Sequence, residues 1–594
     1  MLIRRLALLL AAVVGVGAIV VLVVAPRFDE DCRPEREPGH SMARIWNEEL
    51  LEAIRRDFPA PTVHARNLHH LSALQWDVWA SLDGRIDTVL VAPETEPPPL
   101  PDDTTTARET EETAIAYASY RLLISRYEFA TGADITAPAL AERLESLCLD
   151  PDLDALEPGS AGRFGVDAAE QLLRERRDDG SDEASGYRDL SYVPWNPPLV
   201  VDLGEIHLPD PDRWQPLALE DQRTQNDVPI PAFVQEYIGP HWGFVEPFAL
   251  DRADDGLPID PGPPPLFADD PDAYADAAME VLEFGALLDT DSPETVAIGG
   301  TEVLLADYGR VVAEYWADGP DSETPPGHWN TLAFAVSDRL AERGELRLGG
   351  DGPELDRLEW DLAVGLTLNG ALHDAAIAAW GAKAHYDYVR PISMIRWLSS
   401  TGDLPLVEGL SEVITEATAA PGGRHEELAD HVGQIAVWSW RGQPEDTSTT
   451  VSGVGWILGT EWVPYQRSSF VTPSFAAYVS GHSTFSRAAA DVLAALVGSE
   501  VIPGGPLTWT VESLIHEAGP TEPVTLSWTT FGDAAEEAGL SRLYGGIHVL
   551  ADHTGGRLIG AEVARAAVAE AEPIYASAAT RWNSSADSGS SSGG

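Results

Sequence analysis

Lys383-Ala384-His385-Tyr386-Asp387-Tyr388-Val389-Arg390-Pro391 contains the only lysine of the 594-residue chain; every other Lys-or-Arg position is arginine. Arginine presents a planar fork of donors, whereas lysine is a point charge on a flexible stem. A chain that otherwise uses arginine has kept one compact ammonium here, seven residues before an Arg-Pro pair. Positions seven apart fall on nearly the same face of a helix, so Lys383 and Arg390 are expected to point the same way. Pro391 disfavours helical backbone at Arg390, which sets this arginine at a helix end. Trp380, one turn before Lys383, lies on the same stripe.

Working outward, this stretch closes a long apolar-periodic segment from Asp356 to Ala384. Apolar positions three and four apart recur in Ala43 to Arg56, Leu68 to Leu82, Glu112 to Glu128, Asp272 to Leu288 and Glu302 to Trp316. They recur again in Ser483 to Val497 and Gly556 to Ala571. Strand-like alternation is scarce, so the expected fold class is all-α. Long Pro- and acid-rich connectors run from Glu94 to Thr105, Arg174 to Pro198 and Asp251 to Pro265 and read as irregular surface excursions. The Ser/Gly-rich tail, 583–594, reads as disordered. No tandem repeat is present.

The chain holds 96 acidic and 38 basic residues, a formal charge of -58. That balance disfavours nucleic acid and anionic membrane surfaces as partners. Abundant Asp and Glu with almost no Lys suits a protein working in concentrated salt, where screening relieves self-repulsion. Its 44% hydrophobic content and 18 tryptophans belong to a folded globule. Near the N-terminus, Arg4 and Arg5 precede an uncharged apolar run from Leu6 to Val24, with Asp29-Glu30-Asp31 beyond Pro26. The run is long enough to cross a bilayer, and its flanks orient the bulk of the chain outward. Residues 1–27 therefore read as a membrane anchor or an export signal, and the location as extracytoplasmic. Cys32 and Cys148 are too few for a metal cage; they either pair or remain two buried thiols. The acidic clusters 178–183 and 251–260 lack EF-hand spacing and read as solvated charge. His64, His69 and His70 read as the polar face of a helix.

Two further segments complement the first. Phe475-Ala476-Ala477-Tyr478-Val479-Ser480-Gly481-His482-Ser483 runs straight into a helical stretch. A Ser-Gly pair at a helix start offers backbone N–H groups, a hydroxyl and a positive dipole end, which suit an anion. His482 adds a group that carries a proton near neutral pH. In Ser541-Arg542-Leu543-Tyr544-Gly545-Gly546-Ile547-His548, the histidine is followed by Asp552 four residues on. Such an Asp can accept one ring N–H and leave the other nitrogen as nucleophile or ligand. Together the segments supply three cations, an N–H-rich turn and two histidines, a set suited to a tetrahedral oxyanion bonded to one histidine.

On these residues the chain resembles the vanadium-dependent haloperoxidases and the type 2 phosphatidic acid phosphatases that share their site. The family signature is Lys-x6-Arg-Pro, then Pro-Ser-Gly-His, then Ser-Arg-x5-His-x3-Asp. It is matched in order at Lys383, Arg390, Pro391, Ser480, Gly481, His482, Ser541, Arg542, His548 and Asp552; Val479 stands where the family has proline. Trp46-Asn47 through Trp79, Thr324 to Asn330, and Asp374 to Trp380 extend the resemblance over most of the chain. Trp380 and Phe475 also fall at the spacings of the halide-side aromatics in the chloroperoxidase branch.

The resemblance implies two helix bundles, an N-terminal helical region (40–330) and a C-terminal catalytic region (331–575). Vanadate would be the cofactor, its metal bonded to His548. Lys383, Arg390, Arg542, Ser480 and the Gly481 N–H would hold its oxygens, His482 would act as acid–base, and Trp380 and Phe475 would line the halide side. Hydrogen peroxide and a halide, chloride or bromide, would be the substrates, with an organic acceptor downstream. The alternative is an acid phosphatase in which His548 is the nucleophile and His482 protonates the leaving group.

Overall fold

In the first half of the chain the helices are α1 (Met42–Arg56), α2 (Pro61–Asp83), α3 (Thr104–Arg126), α4 (Ala133–Ser146), α5 (Ala161–Glu175) and α6 (Pro271–Ala286). α7 (Leu305–Tyr315) and α8 (Thr324–Arg343) lead into α9 (Arg357–Tyr386). α10 (Pro391–Thr401), α11 (Gly481–Val497), α12 (Phe531–Tyr544) and α13 (Leu550–Gly589) follow. This computed structural model describes residues 32–589 apart from 190, 205, 318, 320 and 321, with backbone only at 580 and 583–589. The expected anchor or signal, 1–27, lies outside the described residues.

Helix starts are written locally. The side chains of Ser41, Asp103, Ser160, Asp270 and Asp356 each accept a first-turn N–H, and prolines open α2, α6, α8 and α10. α9 is buried on every side from Leu358 to Lys383, as expected of a core helix apolar all round. It packs against α2, α11 and α13, and its last turn carries Lys383 into the interior. A buried polar chain keys the helices together. Asn47 on α1 donates to Asn330 on α8 (3.3 Å), Asn330 to Asn369 on α9 (2.7 Å), and Asn369 to Ser72 on α2 (2.8 Å). Trp329 Nε1 donates to Ser486 Oγ at 2.9 Å, fastening α8 to α11.

With 49% helix and 8% strand, the protein is mainly helical, as expected. The strands form small excursions: parallel β1 (Leu199–Val200) and β2 (Leu217–Ala218), antiparallel β3 (Thr295–Ile298) and β4 (Thr301–Leu304), and antiparallel β5 (Ser411–Val413), β6 (Ile435–Trp440) and β7 (Val454–Leu458). Antiparallel β8 (Leu507–Val511) and β9 (Val524–Trp528) make the last pair.

Several expectations change. Residues 302–304, expected helical, belong to β4, whose register pairs Glu302 with Ala297. The expected division between residues 330 and 331 falls inside α8. α13 runs to Gly589, so 583–589, read as disordered, are helical, and 590–594 lie outside the described residues. His64, His69 and His70 are buried rather than on a polar face; His69 stacks on His373 with ring centroids 5.0 Å apart. Asp179, read as solvated, is buried and paired with Arg66 at 2.6 Å. Cys32 and Cys148 form a disulfide with Cα atoms 5.9 Å apart, tying the first described segment to the end of α4.

Candidate active site

α9 stops at Tyr386 because Asp387 turns left-handed (φ 48°), its N–H closing on Lys383 O at 2.9 Å and its carboxyl accepting from Tyr192 OH at 2.8 Å. The backbone is extended at Arg390 (φ -89°, ψ 151°), the residue before α10, with Pro391 in the first turn. Lys383 and Arg390 therefore belong to two helices, and Arg390 stands at a helix start. The shared helical face expected for them does not exist. They converge instead on a third segment: Lys383 Nζ donates to Ala476 O and Ala477 O at 2.9 Å each, and Arg390 Nη2 to Ala476 O at 3.3 Å. Arg390 Nε also donates to Phe475 O at 2.9 Å.

That third segment ends in α11. Ser480 is its cap, with Oγ accepting from Ser483 N at 3.3 Å and its own N–H donating to Asp552 O at 2.9 Å. Gly481 and His482 occupy the first turn, where N–H groups have no intrahelical acceptor. Arg542 sits in the last turn of α12, and Nη1 donates to Trp316 O (3.2 Å) and Ala313 O (3.4 Å). Gly546 then adopts φ 69°, and a Cβ there would stand 2.9 Å from Pro464 Cβ; only glycine fits this turn. It brings His548 to the start of α13.

Asp552, in the first turn of α13, accepts from His548 Nδ1 at 2.8 Å and from Val549 N at 3.1 Å through the same oxygen. A carboxylate only accepts, so Nδ1 carries the proton and Nε2 keeps its lone pair, which Arg390 Nη1 meets at 3.2 Å. Burial pushes the His548 imidazole well below its ordinary pKa, and the charges of Arg390, Lys383, Arg542 and His482 push it further. It is a neutral ring with an oriented lone pair, the form that binds a metal or attacks phosphorus. Burial, then the Arg390 charge, holds Lys383 well below the usual lysine value, with Asp552 opposing. Burial brings Arg390 to about 9 and raises Asp552 to about 7, the latter against the pull of Lys383 and Arg390.

Lys383, Arg390 and Arg542 are each at most 1% exposed, and Asp552 is the carboxylate whose charge bears on Lys383 and Arg390. Two buried cations, Lys383 and Arg390, facing one carboxylate call for a further buried anion. The site therefore fits vanadate, with the His548 lone pair for the metal and the cations and first-turn N–H groups for its oxygens.

A cavity of about 50 Å³ opens here, lined by Trp380, Phe475, Gly481, His482, Arg542 and His548 among others. Lys383, Arg390, Ser480 and Asp552 are buried outside that lining. The Trp380 and Phe475 rings lie 4.9 Å apart, with Lys383 Nζ 5.6 Å and 5.0 Å from their centroids. Trp380 Nε1 donates to Ile238 O at 2.9 Å, which fixes the indole. All the expected site residues are thus brought together. Sequence reasoning missed Phe485, 6.3 Å from Trp380, although it follows His482 by three positions on α11. It also missed Ile238 and Phe58, for which nothing local gives a signal.

Residues 363–576 match the family of the VCPO second helical-bundle domain. The fold is similar to the crystal structure of an apo-type bacterial vanadium-dependent chloroperoxidase (TM-score 0.63, 18% identity, covering 86% of this chain and 93% of that one). It is similar to the holo-type structure (0.62, 16%, 87% and 94%) and to a bacterial vanadium-dependent iodoperoxidase (0.53, 18%, 91% and 98%). At such identities the likeness speaks to fold. No curated protein matches the chain by sequence. Residues 363–576, which carry Lys383, Arg390, the Ser480-Gly481-His482 turn, Arg542, His548 and Asp552, thus belong to the VCPO second helical-bundle family, set in a fold similar to that of the bacterial vanadium-dependent haloperoxidases.

Proposed function

We propose that the protein uses hydrogen peroxide to oxidise chloride or bromide to a hypohalous-acid equivalent, with vanadate as cofactor. The observation that carries this reading is the convergence of Lys383, Arg390 and Arg542 around the oriented lone pair of His548, beside the aromatic wall of Trp380 and Phe475. Bound vanadate supplies a Lewis acid that activates peroxide without changing its own oxidation state. Lys383, Arg390 and Arg542, with the Ser480 hydroxyl and the Gly481 N–H, neutralise oxyanion charge. His482 takes up and returns the proton that the net reaction needs (halide, peroxide and one proton giving hypohalous acid and water). The Trp380 and Phe475 rings exclude water from one side of a halide while the Lys383 ammonium attracts it.

The neutral, Asp552-oriented His548 also suits attack on a phosphate ester through a phosphohistidine. The aromatic wall beside Lys383 favours halide chemistry. The discriminating experiment is bromination and chlorination of a phenolic dye with vanadate and peroxide, run beside a phosphate-ester assay. Vanadate-dependent halogenation supports the first reading; hydrolysis that vanadate inhibits, without halogenation, supports the second.

The location we propose is extracytoplasmic, which the Cys32–Cys148 disulfide supports, since such bonds persist in oxidising compartments. Protease accessibility of intact cells tests it. Adaptation to concentrated salt is proposed from the charge of -58.

A further inference from the structure

A groove of about 1330 Å³ adjoins the small cavity at His548, and Phe58, Ile230, Ile238 and Ser474 belong to the walls of both. The inner cavity, about 50 Å³, suits peroxide and a halide; holding even a benzene ring takes roughly 150 Å³. Whatever leaves the inner cavity through that shared wall enters the groove. We infer that the groove binds a neutral or cationic, electron-rich aromatic molecule as the acceptor of the oxidised halogen, an inference that rests on the haloperoxidase reading.

Three observations select that class of guest. The groove is lined by Phe58, Phe129, Tyr187, Tyr192 and Tyr237, and rings bind flat aromatic guests by stacking or edge contact. Tyr237 is held in place by Tyr192 at 4.5 Å and by Trp214 at 5.1 Å, so this wall is preorganised. Phe129, on the same groove, is 90% exposed; its ring does not serve the core.

The charge of the lining decides against an anionic guest. Arg126 is paired with Glu183 at 2.8 Å and Arg188 with Glu236 at 2.7 Å. Asp57, Glu128 and Asp189 then stand against Arg177 in the same walls. The remaining wall is acidic, which repels carboxylates and phosphates and favours an amine.

The chemistry closes with the reagents already named. Hypohalous acid transfers its halogen to a ring carbon, that C–H bond breaks, and the proton joins the hydroxide to leave as water. A guest held in the groove presents one edge to the shared wall, so position on the ring is selected by binding rather than by ring electronics alone.

The test uses tryptamine and indole-3-acetate as probes on the vanadate-loaded full chain. Calorimetry without peroxide is expected to give saturable tryptamine binding, about ten-fold or more tighter than indole-3-acetate. Phe129→Ala, which removes an exposed ring, is expected to weaken it about three-fold or more, with circular dichroism checking the fold. With peroxide and bromide, the isomer ratio of bromotryptamines should differ from that given by reagent hypobromite and move toward it in Phe129→Ala. Absence of saturable binding, or a reagent-like isomer ratio, would overturn the inference. Intact tryptamine binding with no bromide-dependent peroxide consumption would instead overturn the haloperoxidase reading and, with it, the acceptor role.

Discussion

Arg390 Nη1 donates to His548 Nε2 across 3.2 Å, while His548 Nδ1 donates to Asp552 at 2.8 Å. One ring is thereby held by a cation on one side and a carboxylate on the other. The pair of contacts selects a single tautomer and aims its lone pair at the cation cluster, and the predictions about the site follow from that arrangement.

His548→Ala is expected to abolish vanadate binding, because the oriented lone pair is the only direct protein bond proposed for the metal. His482→Ala is expected to keep vanadate bound and lose halogenation by about 10²- to 10⁴-fold, the usual contribution of a proton-transfer group. Vanadate titration of both variants beside dye bromination checks this. Equal affinity in the two would sink the division of labour.

Asp552→Asn should weaken vanadate binding by about 10- to 100-fold through loss of the partner that orients His548. The Asp552 pKa is raised to about 7, so its carboxylate is present above that pH and is lost as pH falls through it. Lys383 and Arg390 pull that value down, and a bound anion pushes it up. The advantage of the natural protein over the variant should be full in alkaline buffer and shrink below about pH 7. Comparing the two proteins at each pH cancels the protonation of vanadate itself. A ratio that stays constant across that range would remove Asp552 from the pH response.

Lys383→Arg should be poorly tolerated although it keeps the charge. Nζ fits between two carbonyl oxygens at 2.9 Å in a fully buried position. A planar guanidinium is bulkier and cannot present the same point-charge donor. Measuring vanadate affinity and halogenation together checks it; full activity would make the lone lysine an accident of composition.

Cys148→Ser should lower stability by about 2–4 kcal/mol, the range for a crosslink closing a long loop; Cys32 and Cys148 are 116 positions apart. Denaturant unfolding with and without reductant is the measurement. Reductant should reproduce the loss in the natural protein and leave the variant unchanged.

Activity should rise with salt and then saturate at fixed halide. The pocket must gather anions with local cations while a body of charge -58 repels them. The Debye length shrinks from about 10 Å at 0.1 M to about 3 Å at 1 M, so distant acids fade before the contact-range cations do. Vanadate affinity and circular dichroism across a sodium sulfate series separate anion entry from fold stability. An affinity that falls steadily over an unchanged fold would count against salt adaptation.

The residues of the candidate site were legible in the chain because each is marked by its type at short spacing. Lys383, Arg390-Pro391, Ser480-Gly481-His482 and Arg542 with His548 and Asp552 each announce a local function: point charge, fork, helix-start donors, oriented imidazole. The helical class was legible for the same reason, since a period of three and four is a local property. How these pieces meet was not. Lys383 and Arg390 converge on Ala476 O because Asp387 breaks the helix between them and a segment some 90 residues later fills the gap. Asp179 and His69, polar by type, are buried because Arg66 and His373 are packed onto them from distant positions. The groove beside the site likewise has walls drawn from widely separated segments. Local backbone preference and side-chain chemistry are short-range and can be read from neighbours. Burial, ion pairing and cavity shape depend on which distant surfaces are packed together, and only the tertiary structure decides that.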